Sequence, residues 1–349
     1  MLILGIDTTC DDTGVGIVED GVLIRSNIIA SQHAAHERWG GIVPMIAARQ
    51  HVKNVTPIVA AALDEAGVGF GDLDAVAVSN DQGLLLSLVV GVAAAKSIAL
   101  AQGIPLIGIH HLEGHIYSNL IEHPDTLDFP FLCLTVAGGH TLILEVEDHG
   151  RYHLLGHTRD DAAGEAYDKV ARRLDLGYPG GPVIDRLALD GDPKAFRFPR
   201  PMIDKPHGEM SFSGLKSSVI RTLDKLEAAG QPIPVADVCA SFQQAVVDVL
   251  VAKTLVLAER HNLERLTLAG GVAMNRQLRA TLQAKAEERG WQTFLPRPHL
   301  CIDNGAMVAG AAYFVARERG VSDLAIDARA NAPLGVTGLR YKHDSKYET

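Results

Sequence analysis

The feature that most constrains this chain is a hairpin that occurs twice. Residues 2 to 7 and 14 to 19 read as two apolar strands around the polar bend "TTCDDT", closed by the turn "EDG". Residues 131 to 150, "FLCLTVAGGHTLILEVEDHG", repeat the plan: strand, small-residue bend with Gly138 and Gly139, strand, and an acidic turn ending in Gly150. The copies start about 129 residues apart, the length of a domain, so the pattern predicts an internal duplication rather than one continuous sheet. Between the hairpins come a helix around 44 to 66, a strand "LDAVAVS", an apolar helix from 84, a strand "IPLIGI" and a helix beginning near His111. The second half continues the alternation, with helices near 165–175, 211–228 and 235–261, a strand "RLTLAG", a helix from Asn275 and a last helix over 304–319. This order predicts an α/β chain with helices on both faces of mixed sheets. Two lobes are expected to face each other across a cleft, 1–128 and 129–323, with the tail 324–349 returning to the first. The Pro- and Gly-rich stretch from "YPGGP" to "MSFSG" reads as inserted loops.

Composition narrows the function classes. A net charge of -10 lacks the basic footprint of an autonomous nucleic-acid binder, so any contact with nucleic acid is local or shared with a partner. The four cysteines, Cys10, Cys133, Cys239 and Cys301, form no Cys-x-x-Cys pair, which argues against a zinc ribbon or disulfide framework and for a reducing cytoplasm. "MLILGID" is no export signal. The apolar stretch from Leu84 is broken by Lys96 and rich in Ala and Gly, so it reads as a buried helix and no membrane association is expected.

Three imidazoles and a carboxylate crowd into "HHLEGH" at 110–115. On a helix, His111 and His115 lie on one face at i and i+4 and can share an ion, while Glu113 points to the far side. A zinc protease of the His-Glu-x-x-His type needs its glutamate beside the first histidine, and this spacing does not provide it. A helix start with solvated histidines is the bland alternative, and His110, one position off the face, reads as structural. In "CIDNGAM", Asp303 precedes an apolar helix at an N-cap-like position; with His111 and His115 it would complete a two-His, one-carboxylate set suited to Fe(II) or Zn(II). Three bends, "DTTCDDT", "VAGGHT" and "LAGGVAMN", stand at strand ends where backbone N–H groups can hold a phosphate, with Asp7, Asp11 and Asp12 available for a cation or water.

The motifs then become specific. "DTTCDDT", "HHLEGH", "AGGHT", "DDAAGEAYDK", "GYPGGPVIDRLA", "MSFSGLK", "ASFQQAVVDVL", "AGGVAMNRQLR" and "LCIDNGAM" follow one another from residue 1 to about 320. The chain resembles the tRNA N(6)-adenosine threonylcarbamoyltransferase family (TsaD/Gcp), within the actin/hexokinase/Hsp70-like (ASKHA) ATPase superfold of duplicated RNase H-like domains around a central cleft. That resemblance implies a metal-dependent acyltransferase. It would move the threonylcarbamoyl group from threonylcarbamoyl-AMP to N(6) of the adenosine 3' of the anticodon, position 37, in tRNAs reading codons that begin with A. It implies His111, His115 and Asp303 as ligands of one divalent metal, and Thr135, Val136, Ala137, Gly138, Gly139, Asp168, Gly181, Asp185 and Asn275 as substrate-binding residues, in a cleft that AMP or ATP can also occupy. On that resemblance Asp11, Asp12 and Cys10 are the best-placed candidates for catalysis near the reacting carbonyl. Gly180 and Gly270 also read as ordinary turns or a buried helix start. The implied partners are tRNA, a smaller paralogue of the same fold (TsaB-like) and a small ATPase (TsaE-like).

The chain also departs from the family. Its Gly-Pro-Gly-Leu-x-Gly-Ser-Leu loop reads "DQGLLLSL", placing Asp81, Gln82 and Leu86 where Gly, Pro and Gly stand; Ala137 replaces a serine; Asp7 and Asp12 each replace a glutamate; and Met45 replaces another. Asp81 is expected to repel a phosphate, Leu86 to fill space, and activity to fall without loss of adenylate binding. The rival reading is a catalytically weakened or non-catalytic paralogue that serves as a nucleotide-binding scaffold. A sugar kinase or chaperone-type ATPase on the same superfold is a further alternative.

Overall fold

The computed structural model describes residues 1–332 and 334. Two five-stranded mixed sheets carry the fold. The first holds β1 (Leu2–Asp7), β2 (Asp12–Glu19), β3 (Leu23–Ser31), β4 (Ala75–Asp81) and β5 (Leu106–His110), in the order β3-β2-β1-β4-β5. The second holds β6 (Phe131–Val136), β7 (Thr141–Asp148), β8 (Arg151–His157), β9 (Arg265–Ala269) and β10 (Gln292–Phe294), in the order β10-β9-β6-β7-β8. The two orders are the same topology: an antiparallel three-strand meander whose first strand pairs in parallel with a strand that follows a helical crossover. The duplicated hairpin therefore extends over a whole sheet.

The meander's third strand, β3 or β8, and the edge strand β10 carry no strand signal in the sequence, because each is half exposed and lacks a continuous apolar run. Helix Gly180–Leu187 was also missed, since its Gly-Gly-Pro start reads as turn chemistry. Among the described residues two helices are long and apolar enough to cross a membrane by length and composition: Val235–His261, mostly buried in the core of the second half, and Leu85–Gln102, which lies beside β4.

Helix Gly305–Arg319 lies against β1 and β2, and that contact depends on missing side chains. A Cβ at Gly16 would stand 2.4 Å from the Ala306 nitrogen, and one at Gly305 would stand 2.0 Å from the Gly16 nitrogen. Only glycine permits this approach, which carries Asp303, just before the helix, to the first sheet. Residues 322–332 also return to the first sheet. Ser322 bridges Leu106, Arg329 bridges Asp81, and the Asn80 side chain donates to the Asp327 carbonyl over 3.2 Å. The remainder of the tail, 335–349, lies outside the described residues.

Candidate functional site

The first-half site forms at the carboxyl ends of the parallel strands β1, β4 and β5, where an open α/β sheet offers a crevice. β5 ends at His110 and the helix His111–Glu122 begins at once. His110 caps it, its Nδ1 accepting the Leu112 N–H over 3.2 Å while Nε2 lies 3.1 Å from the Ala332 carbonyl. Burial pushes its imidazole down to about 4, so it is a neutral structural residue. Glu113 points away from His111 and His115: it accepts from Tyr152 over 2.9 Å and pairs with Arg319 at 2.7 Å, pinning the ligand helix to helix Gly305–Arg319. The residue that a protease would use as a base is here an anchor.

His111, His115 and Asp303 come together, with one potential ligand atom from each within 4.8 Å of the others. The Asp303 carboxylate lies 3.4 Å from His111 Nε2 and 3.1 Å from His115 Nε2. His111 Nδ1 lies 3.1 Å from Asp7, which leaves Nε2 free to face an ion, the arrangement of a carboxylate-oriented metal histidine. Buried His115 Nδ1 has no hydrogen-bond partner. Two imidazoles and a carboxylate with open ligand capacity fit a divalent ion of the Fe(II) or Zn(II) kind. The charges agree. Burial opposes protonation of His111, yet Asp303 and Asp7 outweigh it and lift the imidazole to about 9. Burial likewise opposes ionisation of Asp303, but His111 and His115 hold its carboxyl well below the usual range. The same negative surroundings that favour a proton on His111 would favour a cation. Asp303 is not the helix cap: that is Asn304, whose Oδ1 accepts the Met307 N–H over 2.9 Å, so Asp303 is free of capping duty.

Asp7 is not open to a ligand. It is fully buried and takes hydrogen bonds from Thr9 and Ser79, at 2.8 and 2.6 Å, besides His111. Asp11 accepts from Tyr178 of the other half over 3.1 Å, and His33 Nε2 stands 3.7 Å away. Asp12 begins β2 and has a buried Oδ1 without a partner; burial first, then Asp303 and Asp11, push its carboxyl up to about 7. The Cys10 thiol is pushed well up by burial and by Asp303, Asp11 and Asp7, so it stays a thiol at neutral pH. His33 was not legible in sequence, because only the fold brings the loop after β3 to this bend.

Across the cleft, the expected substrate residues divide. Thr135 and Val136 are wholly buried within β6. At Gly138, Gly139 and Gly181 an added Cβ would meet nothing within 4 Å, so those positions border open space. Gly180 and Gly270 are packing glycines: a Cβ would lie 2.5 Å from the Ala171 side chain at the first and 2.5 Å from the Val136 carbonyl at the second, where φ is +86°. Asp168 accepts the Gly180 N–H over 2.8 Å, and burial lifts it to about 6. Asp185 pairs with Arg276 at 2.8 Å and accepts from Gln243 at 3.2 Å beside a cavity of about 370 Å³. Asn275 caps the helix Arg276–Glu287 through Leu278 N–H and donates to Gln243 over 2.7 Å.

Two expectations about the altered loop are overturned. Asp81 is not a free charge: it is 2% exposed and paired with Arg329 of the returning tail. Leu86 fills no internal space, being 46% exposed. Gln82, at φ +69°, reaches across the cleft so that its Nε2 lies 2.7 Å from His140 Nε2.

Comparison with known proteins identifies the family and the fold. The family model for tRNA N6-adenosine threonylcarbamoyltransferase matches residues 23–310. The enzyme of that name from Desulfitobacterium hafniense is 51% identical over 312 residues, covering 89% of this chain and 91% of its own. The one from Moorella thermoacetica is 50% identical over 332 residues, covering 95% and 97%. Among solved structures, full-length HypF in its phosphate- and nucleotide-bound form superposes with a TM-score of 0.58 at 14% identity, over 92% of this chain and 56% of that one. Component A of the Acidaminococcus fermentans (R)-2-hydroxyglutaryl-CoA dehydratase does so with a TM-score of 0.51 at 18% identity, over 91% and 100%. These two share the fold, the two-lobed ASKHA architecture. The motifs, their order and the near full-length relatives lead to one assignment: the chain belongs to the tRNA N6-adenosine threonylcarbamoyltransferase family.

Proposed function

We propose that this protein transfers the threonylcarbamoyl group from threonylcarbamoyl-AMP to N(6) of adenosine 37 in tRNAs that read codons beginning with A. The observation that carries the reading is the convergence of His111, His115 and Asp303 at the strand ends of a chain whose near full-length relatives bear that enzyme's name. An Fe(II) or Zn(II) ion on those three residues would act as a Lewis acid toward the carbamoyl carbonyl.

The chain's own residues supply the rest. Asp7 fixes the His111 tautomer, and Glu113 with Arg319 fixes the helix that carries both histidines. The backbone N–H groups of Gly138 and Gly139 are open toward the adenylate phosphate, while Asp168, Gly181, Asp185 and Asn275 bound the nucleoside side. Asp11 and Asp12, both raised by burial, are placed to take the proton that the adenosine amine gives up, and Cys10, a neutral thiol, lines the same end. The altered loop does not weigh against catalysis, because Arg329 cancels the Asp81 charge.

The net charge of -10 fits tRNA affinity that is shared with partners, a smaller paralogue of the same fold and a small ATPase, in the cytoplasm. The deciding experiment incubates the purified protein with threonylcarbamoyl-AMP and unmodified tRNA of this class, with and without those partners, and digests the tRNA for the modified nucleoside. Absence of product with the partners present, from a folded and metal-loaded protein, would reject the enzyme in favour of the scaffold.

A further inference from the structure

The cleft holds more buried negative charge than one metal ion answers. Asp7, Asp11, Asp12 and Asp303 all lie at the strand ends of the first sheet; Asp7 and Asp303 are committed to His111 and His115, while Asp11 and Asp12 are not. Asp12 is 8% exposed; Ser31 hydrogen-bonds to its carboxylate, but its Oδ1 is buried without a hydrogen-bond partner, an expensive state for a carboxylate oxygen. One potential ligand atom each from Asp11, Asp12 and His33 lies within 4.8 Å of the others, near twice an ion-to-ligand distance of ~2.1 Å.

The three are brought together by independent means. Asp11 and Asp12 come from the β1–β2 bend, and His33 opens the short helix His33–His36 after β3. The Gln32 N–H donates to the Asp11 carbonyl over 2.9 Å and ties the two segments. His33 Nε2 stands 3.7 Å from Asp11 Oδ2, beyond a hydrogen bond, and the Tyr178 ring meets the His33 imidazole edge-on at 6.0 Å from the other half.

We propose that Asp11, Asp12 and His33 form a second divalent-cation site, distinct from His111, His115 and Asp303, that takes ions accepting mixed carboxylate and imidazole ligands, such as Mn(II). The imidazole disfavours Mg(II), which prefers oxygen throughout. A carboxylate has two oxygens, so holding an ion through one does not by itself occupy the other. The role that follows rests on the adenylate reading: an ion here offsets charge that would otherwise repel the substrate phosphate.

Chelator-stripped protein is titrated with Mn(II), and bound ions are counted from the loss of the free-ion paramagnetic resonance signal. Wild type should bind two ions per chain, and His33→Ala, Asp12→Asn and His115→Ala one each. Thermal unfolding of His33→Ala checks that the fold persists; its side chain is 42% exposed, so little packing is lost. A wild type that binds one ion, or two ions retained in both His33→Ala and Asp12→Asn, would overturn the second site. The count needs no transfer assay: two ions without transfer would overturn the proposed function alone, and transfer with one ion would overturn the second site alone.

Discussion

The β1–β2 bend and the β6–β7 bend occupy equivalent places in two copies of one sheet, yet they do opposite work. The first is crowded and charged: Thr8 and Thr9 are fully buried, Asp11 and Asp12 nearly so, and Asp7 takes hydrogen bonds from the Thr9 N–H and hydroxyl and the Ser79 hydroxyl. The second is open, with Gly138 and Gly139 exposed and nothing within 4 Å of a Cβ added at either, while Gln82 reaches His140 beside them. One wall of the cleft thus offers charge, the other backbone and space. On the proposed reaction the duplicated hairpin would supply two halves of one site, since acyl transfer needs a place where charge develops and a place that holds the leaving group.

The largest effect should come from removing the charged wall's ion ligands. His115→Ala is expected to lose most bound metal from the His111–Asp303 group and to lower transfer by about 10²-fold or more, with the fold intact. Elemental analysis and the nucleoside digest read the two effects separately. Normal transfer by a metal-depleted His115→Ala would dissolve the contrast between the two bends.

Next in size is the cost of ionising Asp12. Its folded carboxyl is raised to about 7 against an ordinary 3.8, so the fold favours the protonated form. The penalty is absent below pH ~4, grows across the interval and is complete above pH ~7. Asp12→Asn carries no such penalty. In chelator-stripped protein it should be more stable than wild type by roughly 2–4 kcal/mol at pH 8, and the gap should close near pH 4. Denaturant melts at the two pH values test this; a gap that does not change with pH would mean that Asp12 is not buried as a free carboxyl.

The glycines sharpen the comparison further. Gly270→Ala places a Cβ 2.5 Å from the Val136 carbonyl at φ +86° and should cost about 1–3 kcal/mol of stability. Gly139→Ala meets nothing and should leave stability within ~0.5 kcal/mol, while weakening adenylate binding, as calorimetry would show. If both variants lose stability alike, the second bend is no open wall.

Much of this was legible in the sequence, for physical reasons. The hairpins announced themselves because β1 and β6 are buried on both faces and read as unbroken apolar runs, whereas β3, β8 and β10 are half exposed and did not. The pair His111 and His115 follows from helical spacing alone, but the placement of Asp303 depends on the Gly16–Gly305 approach, which no local pattern encodes. His33 and Arg329 escaped for the same reason: each acts on residues far away in the chain, Asp11 and Asp81. The reading of Asp81 as a repulsive charge failed because a carboxylate's effect is set by its partner, which lies 248 residues away.

The smallest effect concerns that altered loop and the Ala137 beside it. Restoring Asp81→Gly, Gln82→Pro and Leu86→Gly together should bring no gain in adenylate affinity: the Asp81 charge is already cancelled, its loss leaves Arg329 without a partner, and the Gln82 contact to His140 disappears. Ala137→Ser differs. The Ala137 N–H donates to the His140 carbonyl over 2.8 Å, so the bend keeps its shape, and a hydroxyl added there stands beside the open space at Gly138. One new hydrogen bond to the phosphate contributes about 0.5–1.5 kcal/mol, at most about tenfold in affinity. Calorimetric titration of the two variants with a non-hydrolysable adenylate measures both. A gain from the loop restoration, or none from Ala137→Ser, would reverse the assignment of the glycine bend as the wall that holds the phosphate, and would move that task to the loop at 81–86.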